Sequence, residues 1–140
     1  AAEPARALPY PFRLVGPAEN YLHARPDLDD TIRRLQAFEA AGADALYAPG
    51  VTRAEDIRSM CAALRKPVNV LMGSKGVTLS VADLATLGVR RISVGAALNR
   101  AALGAFVRAA REMREHGTFG FTDDAISFSE VSEFMRGPDR

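Results

Sequence analysis

Asn69 is out of keeping with its surroundings, because it sits inside the apolar run Val68-Asn69-Val70-Leu71. A buried amide needs hydrogen-bond partners. Asn69 therefore either reaches a ligand's carboxylate or carbonyl, or ties its own strand to a neighbour. Glu19 and Asn20 stand together directly after an earlier apolar run. A carboxylate at Glu19 holds a water, a metal aquo ion or an arginine, or it serves as a loop cap, and Asn20 beside it is a second candidate for substrate contact. Gly50 follows Pro49 after another such run. Gly73-Ser74-Lys75-Gly76 has the glycines, hydroxyl and ammonium of a phosphate cradle. The GxxxxGK[ST] spacing is absent, so a mobile turn is the simpler reading.

His23 and His116 are the only histidines and lie far apart in the chain. There is no HExxH and no Ser-His-Asp order, so no catalytic residue and no metal ligand is assigned. Cys61 is the single cysteine. That excludes an intrachain disulfide and a cysteine-based zinc site, and its place on an apolar helix face reads as a core thiol.

Strands and helices must position these residues. Short apolar runs at Phe12–Gly16, Ala45–Pro49, Pro67–Met72 and Arg91–Gly95 read as strands. They are continuous rather than alternating, which suits parallel strands covered by helices. Asp27 and Asp30 open a helix carrying Leu28, Ile32, Leu35 and Phe38 at helical spacing. Thr52 with Glu55 predicts a capping box for a second helix, which buries Ile57, Met60, Cys61 and Leu64. Ser80 with Asp83 opens a third, and Asn99 is the expected cap of a fourth that carries Leu103, Phe106, Val107 and Met113. Gly42 and Gly88 stand where a left-handed residue ends a helix. Beyond a linker at Gly117–Phe121, residues 124–135 predict one more amphipathic helix.

The pattern is α/β, four βα units plus a terminal helix. It fits either a doubly wound sheet or part of a (β/α)8 barrel. A full barrel takes about 250 residues, and this chain has 140. In both architectures ligands bind at the carboxyl ends of the strands. The informative segments are then Pro17–Asn20, Pro49–Val51, Asn69–Lys75 and Gly95–Ala97.

Composition is that of an ordinary globular chain, with 48% hydrophobic and 25% charged residues and a net charge of +1. It excludes a disordered tail and gives no electrostatic reason for nucleic acid or an anionic membrane as partner. No apolar run approaches the roughly 20 residues of a membrane span. The chain starts with Ala, as after removal of Met or as a piece of something longer. Residues 1–11 lack a signal-peptide layout, so the expected location is cytoplasmic.

Taken together, Phe12-Arg-Leu-Val-Gly-Pro-Ala-Glu-Asn-Tyr-Leu22, Arg25-Pro-Asp-Leu-Asp-Asp30, Ala40-Ala-Gly-Ala-Asp44, Ala48-Pro-Gly50, Pro67-Val-Asn-Val70 and Leu87-Gly-Val-Arg-Arg-Ile-Ser-Val-Gly95 resemble the isocitrate lyase/phosphoenolpyruvate mutase superfamily, in order and spacing. The phosphonomutase/2-methylisocitrate lyase-like branch is the nearest in pattern. The resemblance implies the C-terminal half, (βα)4, of a TIM-type (β/α)8 barrel. It implies a half barrel over residues 1–118 and a linker with terminal helix over 119–140, packed on the barrel or on a neighbouring subunit. It also implies a Mg2+-dependent lyase or mutase that makes or breaks a C–C or P–C bond beside an α-oxo-carboxylate. By the resemblance, Asn69 matches a substrate-contacting asparagine, Glu19 an acid closing a strand motif, and Gly50 and the loop after Met72 line the mouth.

Two departures count against activity of this chain alone. Where the family pattern has an arginine that holds the substrate's anion, this chain has Pro17, which offers neither donor nor charge. The strands that would carry the Mg2+ ligands precede the matched region, so those ligands are not in this chain. The expected partners are a small oxo acid and either a second copy or a companion half-barrel chain. The alternative function is a non-catalytic half barrel acting as a dimer or interaction module.

Overall fold

The computed structural model describes residues 2–137, in which four short strands alternate with helices. The strands are β1 (Val15–Pro17), β2 (Ala45–Tyr47), β3 (Val68–Leu71) and β4 (Arg91–Ser93). The helices are α1 (Ala2–Arg6), α2 (Leu28–Ala40), α3 (Ala54–Ala63), α4 (Val81–Thr86), α5 (Ala97–His116) and α6 (Phe128–Arg136), with a 3-10 turn at Gly120–Asp124. Among the described residues no helix is long and apolar enough to cross a membrane.

All strand pairs are parallel, and the sheet order is β1-β2-β3-β4. The order never reverses, so the sheet has no topological switch point of the doubly wound kind. Each strand is shorter than its apolar run. At β1 the reason is a partner distant in the chain: Leu14 N–H donates to Asp44 Oδ2 at 2.8 Å, and Leu14 O accepts from the Asp44 and Ala45 amides, so pairing begins at Val15. Pro17 ends β1, on an edge strand where a missing N–H costs no ladder bond. Gly50, at φ +93°, turns the chain after β2.

Alternation divides the sheet into two faces. Leu46, Val68 and Val70 are buried with Leu35, Ile57, Met60 and Leu84 from α2, α3 and α4 in one core. Pro17, Tyr47, Asn69 and Arg91 form a continuous row on the opposite face.

Several helix starts match the sequence pattern. Asp27 caps α2 by accepting from Asp30 N at 2.8 Å, and Ser80 with Asp83 forms a full capping box on α4. Gly42 and Gly88 hold φ of +95° and +93° just past α2 and α4.

Three expectations are corrected. Thr52 does not cap α3; Arg53 holds that position without a side-chain cap bond, and the Glu55 carboxylate pairs with the Arg53 guanidinium instead of reaching back. Asn99 is not a cap, because α5 begins at Ala97 and takes Asn99 into its first turn. The last helix starts at Phe128 rather than near residue 124, because Ser127 and Glu130 form the capping box there. Residues 138–140 of the expected tail segment lie outside the described residues.

The chain divides into two units, Ala1–Ala97 and Leu98–Arg140. The first holds the sheet and its core. In the second, Phe106, Phe128, Phe134 and Met135 are all exposed. Glu112 organises its turn by accepting from Thr118 Oγ1 (2.8 Å), Gly120 N (2.6 Å) and Phe121 N (3.2 Å).

Candidate functional site at the carboxyl ends of the strands

Asn69 is 1% exposed and stands mid-row on the sheet face opposite the helices. Its Nδ2 donates to Ser93 Oγ at 3.0 Å, which ties β3 to β4. Its Oδ1 is buried and has no hydrogen-bond partner among the described residues. Both readings of Asn69 therefore have a foothold. The amide links two strands, and the carbonyl oxygen is an acceptor waiting for a donor.

Asn20 is engaged in its own loop. Its Nδ2 donates to Asp27 O at 3.3 Å and to Thr31 Oγ1 at 2.6 Å, and the Thr31 hydroxyl donates to Asp27 O. These bonds fasten the loop after β1 to the start of α2. They also explain why Thr31 is buried on α2, a residue that the apolar periodicity passes over. Asn20 Oδ1 is a second buried acceptor without a partner among the described residues. Glu19 is exposed just beyond Pro17, and its main-chain oxygen accepts from the Leu22 and His23 amides. Gly50 is pinned against the same loop, because a Cβ there would lie 2.8 Å from Tyr21 Cβ.

The structure thus brings Glu19, Asn20 and Gly50 together through one loop and Tyr21. It joins Asn69 to Ser93, a residue that its sequence context did not single out. The signal for Ser93 lies in the register: Leu71 pairs with Ser93, so Asn69 and Ser93 share a sheet face one step apart. The Tyr21 phenol is pushed up, by burial first and then by the Asp56 and Asp27 carboxylates. It stays protonated and is no base at neutral pH. Burial also raises the Cys61 thiol, which keeps it in the unreactive protonated form.

Magnesium binds through one or two carboxylates with other oxygens in a near-octahedral shell. Among the described residues no group of three or more His, Cys, Asp or Glu comes together to hold a metal. Between the strands and the helices that follow them, the carboxylates are Glu19 and Asp27, and Asp27 is engaged as the α2 cap. The residues present do not make a Mg2+ site by themselves.

The sheet is parallel and in sequential order, and its polar pair Asn69–Ser93 lies on the face away from α2, α3 and α4. The model of the phosphoenolpyruvate phosphomutase family matches residues 1–114, and the chain belongs to that family, within the phosphoenolpyruvate mutase/isocitrate lyase superfamily. A crystal structure of a candidate lyase/mutase from Burkholderia cenocepacia J2315 superposes with a TM-score of 0.93 at 56% identity, covering 99% of this chain and 50% of that one. An oxaloacetate decarboxylase of Rhodopseudomonas palustris (strain BisA53) is 31% identical over 109 residues, or 78% of this chain and 36% of that enzyme. A phosphonopyruvate hydrolase, solved with oxalate and Mg2+, shares the fold at a TM-score of 0.73 and 24% identity, covering 96% of this chain and 51% of its own. The chain spans about half or less of the length of these relatives.

Proposed function

We propose that this chain is the C-terminal part of a lyase or mutase that makes or breaks a C–C or P–C bond beside an α-oxo-carboxylate, and that it forms half of a (β/α)8 barrel. The observation that carries this reading is the sheet itself. Four parallel strands in sequential order leave both β1 and β4 as open edges, and a barrel abolishes such edges by closure. Coverage of half of the related Burkholderia chain fits that arc.

In this reading the chain supplies one wall of the site. Ser93 holds the Asn69 amide, and the free Asn69 carbonyl oxygen accepts from a hydroxyl or bound water of the ligand. Gly50 and Tyr21 shape the rim, and Glu19 places a carboxylate at the mouth. The Mg2+ that the superfamily pattern calls for must come with ligands from the complementary half, so no chemical step is assigned to these residues alone.

The test is reconstitution. The chain is assayed with oxaloacetate and Mg2+, alone and mixed with the amino-terminal half of the Burkholderia relative. Pyruvate release only from the mixture supports the reading. A stable mixed complex that releases none sinks it. Turnover by the chain alone would refute its dependence on a second half.

Pro17 favours a second reading, in which a barrel half without its anion clamp persists as an interaction module, closed by a second copy. Light scattering on the purified chain distinguishes them. A homodimer of 15.0 kDa chains that ignores oxo acids fits the second.

A further inference from the structure

Pro17 leaves the oxo-acid site without a cation on β1, and an anionic substrate still needs one. Between the strands and the helices that follow them, the cationic side chains are Arg25, Arg53 and Lys75, with His23 close to Arg25. Arg53 is committed to the Glu55 carboxylate, with Asp56 also in reach. Arg25 lies well past Glu19, in the turn that leads into α2. Lys75 lies on the short loop after β3, the strand that carries Asn69, and makes no hydrogen bond or ion pair among the described residues.

Two glycines shape the loop. Gly73 and Gly76 hold φ of +88° and +84°, a region that side chains disfavour, so two glycines bracket Ser74 and Lys75. The loop is anchored at one end. A Cβ on Gly73 would lie 2.7 Å from Ala97 Cβ and 3.7 Å from Val94 O, so the turn leans on the segment that follows β4 and Ser93. Its other end is open, with nothing within 4 Å of a Cβ on Gly76. Val77 N donates back to Ser74 O at 3.3 Å. The amides of Ser74, Lys75 and Gly76 and the Ser74 hydroxyl donate to nothing among the described residues. Successive free N–H groups at a left-handed corner form an anion-binding concavity.

We propose that Ser74-Lys75-Gly76 is the anion-binding loop of this chain, with the Lys75 ammonium and the loop amides holding the anionic end of the ligand where Pro17 offers nothing. The inference rests on the oxo-acid reading for the ligand's identity, but not for the loop's preference for an anion.

The test is an amide-resolved NMR titration of the full 140-residue chain with oxalate. The loop reading expects saturable shifts at Ser74, Lys75 and Gly76. Lys75→Ala should weaken the site about tenfold, the effect of one charge-assisted hydrogen bond, and Lys75→Arg should restore most of it. Neither substitution touches the core, so an unchanged spectrum elsewhere certifies the fold. Equal affinity in wild type and Lys75→Ala overturns the proposal, as does the absence of any shift in the loop. Shifts confined to Asn69, Ser93 and Gly50 would also remove the loop, while leaving the oxo-acid reading intact. Inorganic phosphate giving the same loop shifts as oxalate keeps the anion loop and withdraws its support for an oxo acid.

Discussion

Replacing Asn69 with Leu separates the two roles that its geometry allows. The substitution removes one neutral hydrogen bond, to Ser93 Oγ at 3.0 Å, which is worth about 1 kcal/mol. It also removes Oδ1, a buried acceptor without a partner, and such a group costs about 1–3 kcal/mol while it persists. Leu is somewhat larger in a site that is 1% exposed, and crowding offsets up to about 1 kcal/mol. The expected net effect lies between a loss of about 1 kcal/mol and a gain of about 2 kcal/mol, centred on a small stabilisation, which moves Tm by no more than several degrees at about this chain length. The chain has no Trp, so unfolding in urea is followed by far-UV circular dichroism. The same variant should lose the oxalate response at Ser93. A residue whose removal stabilises the fold is kept for what it does with a ligand. A loss of more than about 2 kcal/mol refutes this reasoning. It would mean that a buried water satisfies Oδ1 and that Asn69 is a structural pin between β3 and β4.

Two further outcomes follow from the first unit. The Asp44 carboxyl is held at about 2, first by its hydrogen bond from Arg6 and then by the Leu14 amide. Its folded value lies below the ordinary 3.8, so its contribution is present above that value and is lost as pH falls toward about 2. Asp44→Asn should therefore flatten the acid limb of a stability profile between about pH 4 and pH 2, and an unchanged limb would show that the Arg6 clamp is not formed in solution. Gly50→Ala must place a Cβ at φ +93° and 2.8 Å from Tyr21 Cβ. The backbone conformation alone costs about 1–2 kcal/mol, so thermal melts should show a clear drop, and a neutral result would mean that the turn after β2 is free to rearrange.

Much of the fold was legible in the sequence because the signals are local. Asp27 before Leu28, Ser80 with Asp83, and glycine after α2 and α4 each act on the nearest few backbone groups, and the structure uses all of them. Where a second local partner competed, the reading failed. Glu55 closed on Arg53 rather than capping back to Thr52, and the Ser127–Glu130 capping box set the start of α6 later than the expected residue 124. Strand ends were overrun for a non-local reason, since a strand stops where its neighbour's ladder stops, as at Leu14, whose groups are taken by Asp44 and Ala45.

The candidate site divides in the same way. That Asn69 is unusual and that Glu19 and Gly50 follow strands could be read from residue types in order along the chain, and that Pro17 stands where the family pattern has an arginine came from the resemblance. That Asn69 is joined to Ser93, that Asn20 is occupied by Asp27 and Thr31, and that Lys75 has no ion-pair partner among the described residues could not. Those facts depend on register and on contacts between residues far apart in the chain, which form only when the parallel strands align. Residue type determined which groups are able to bind. Tertiary structure decided which of them are still free to do so, because each buried donor and acceptor is first claimed by its nearest partner.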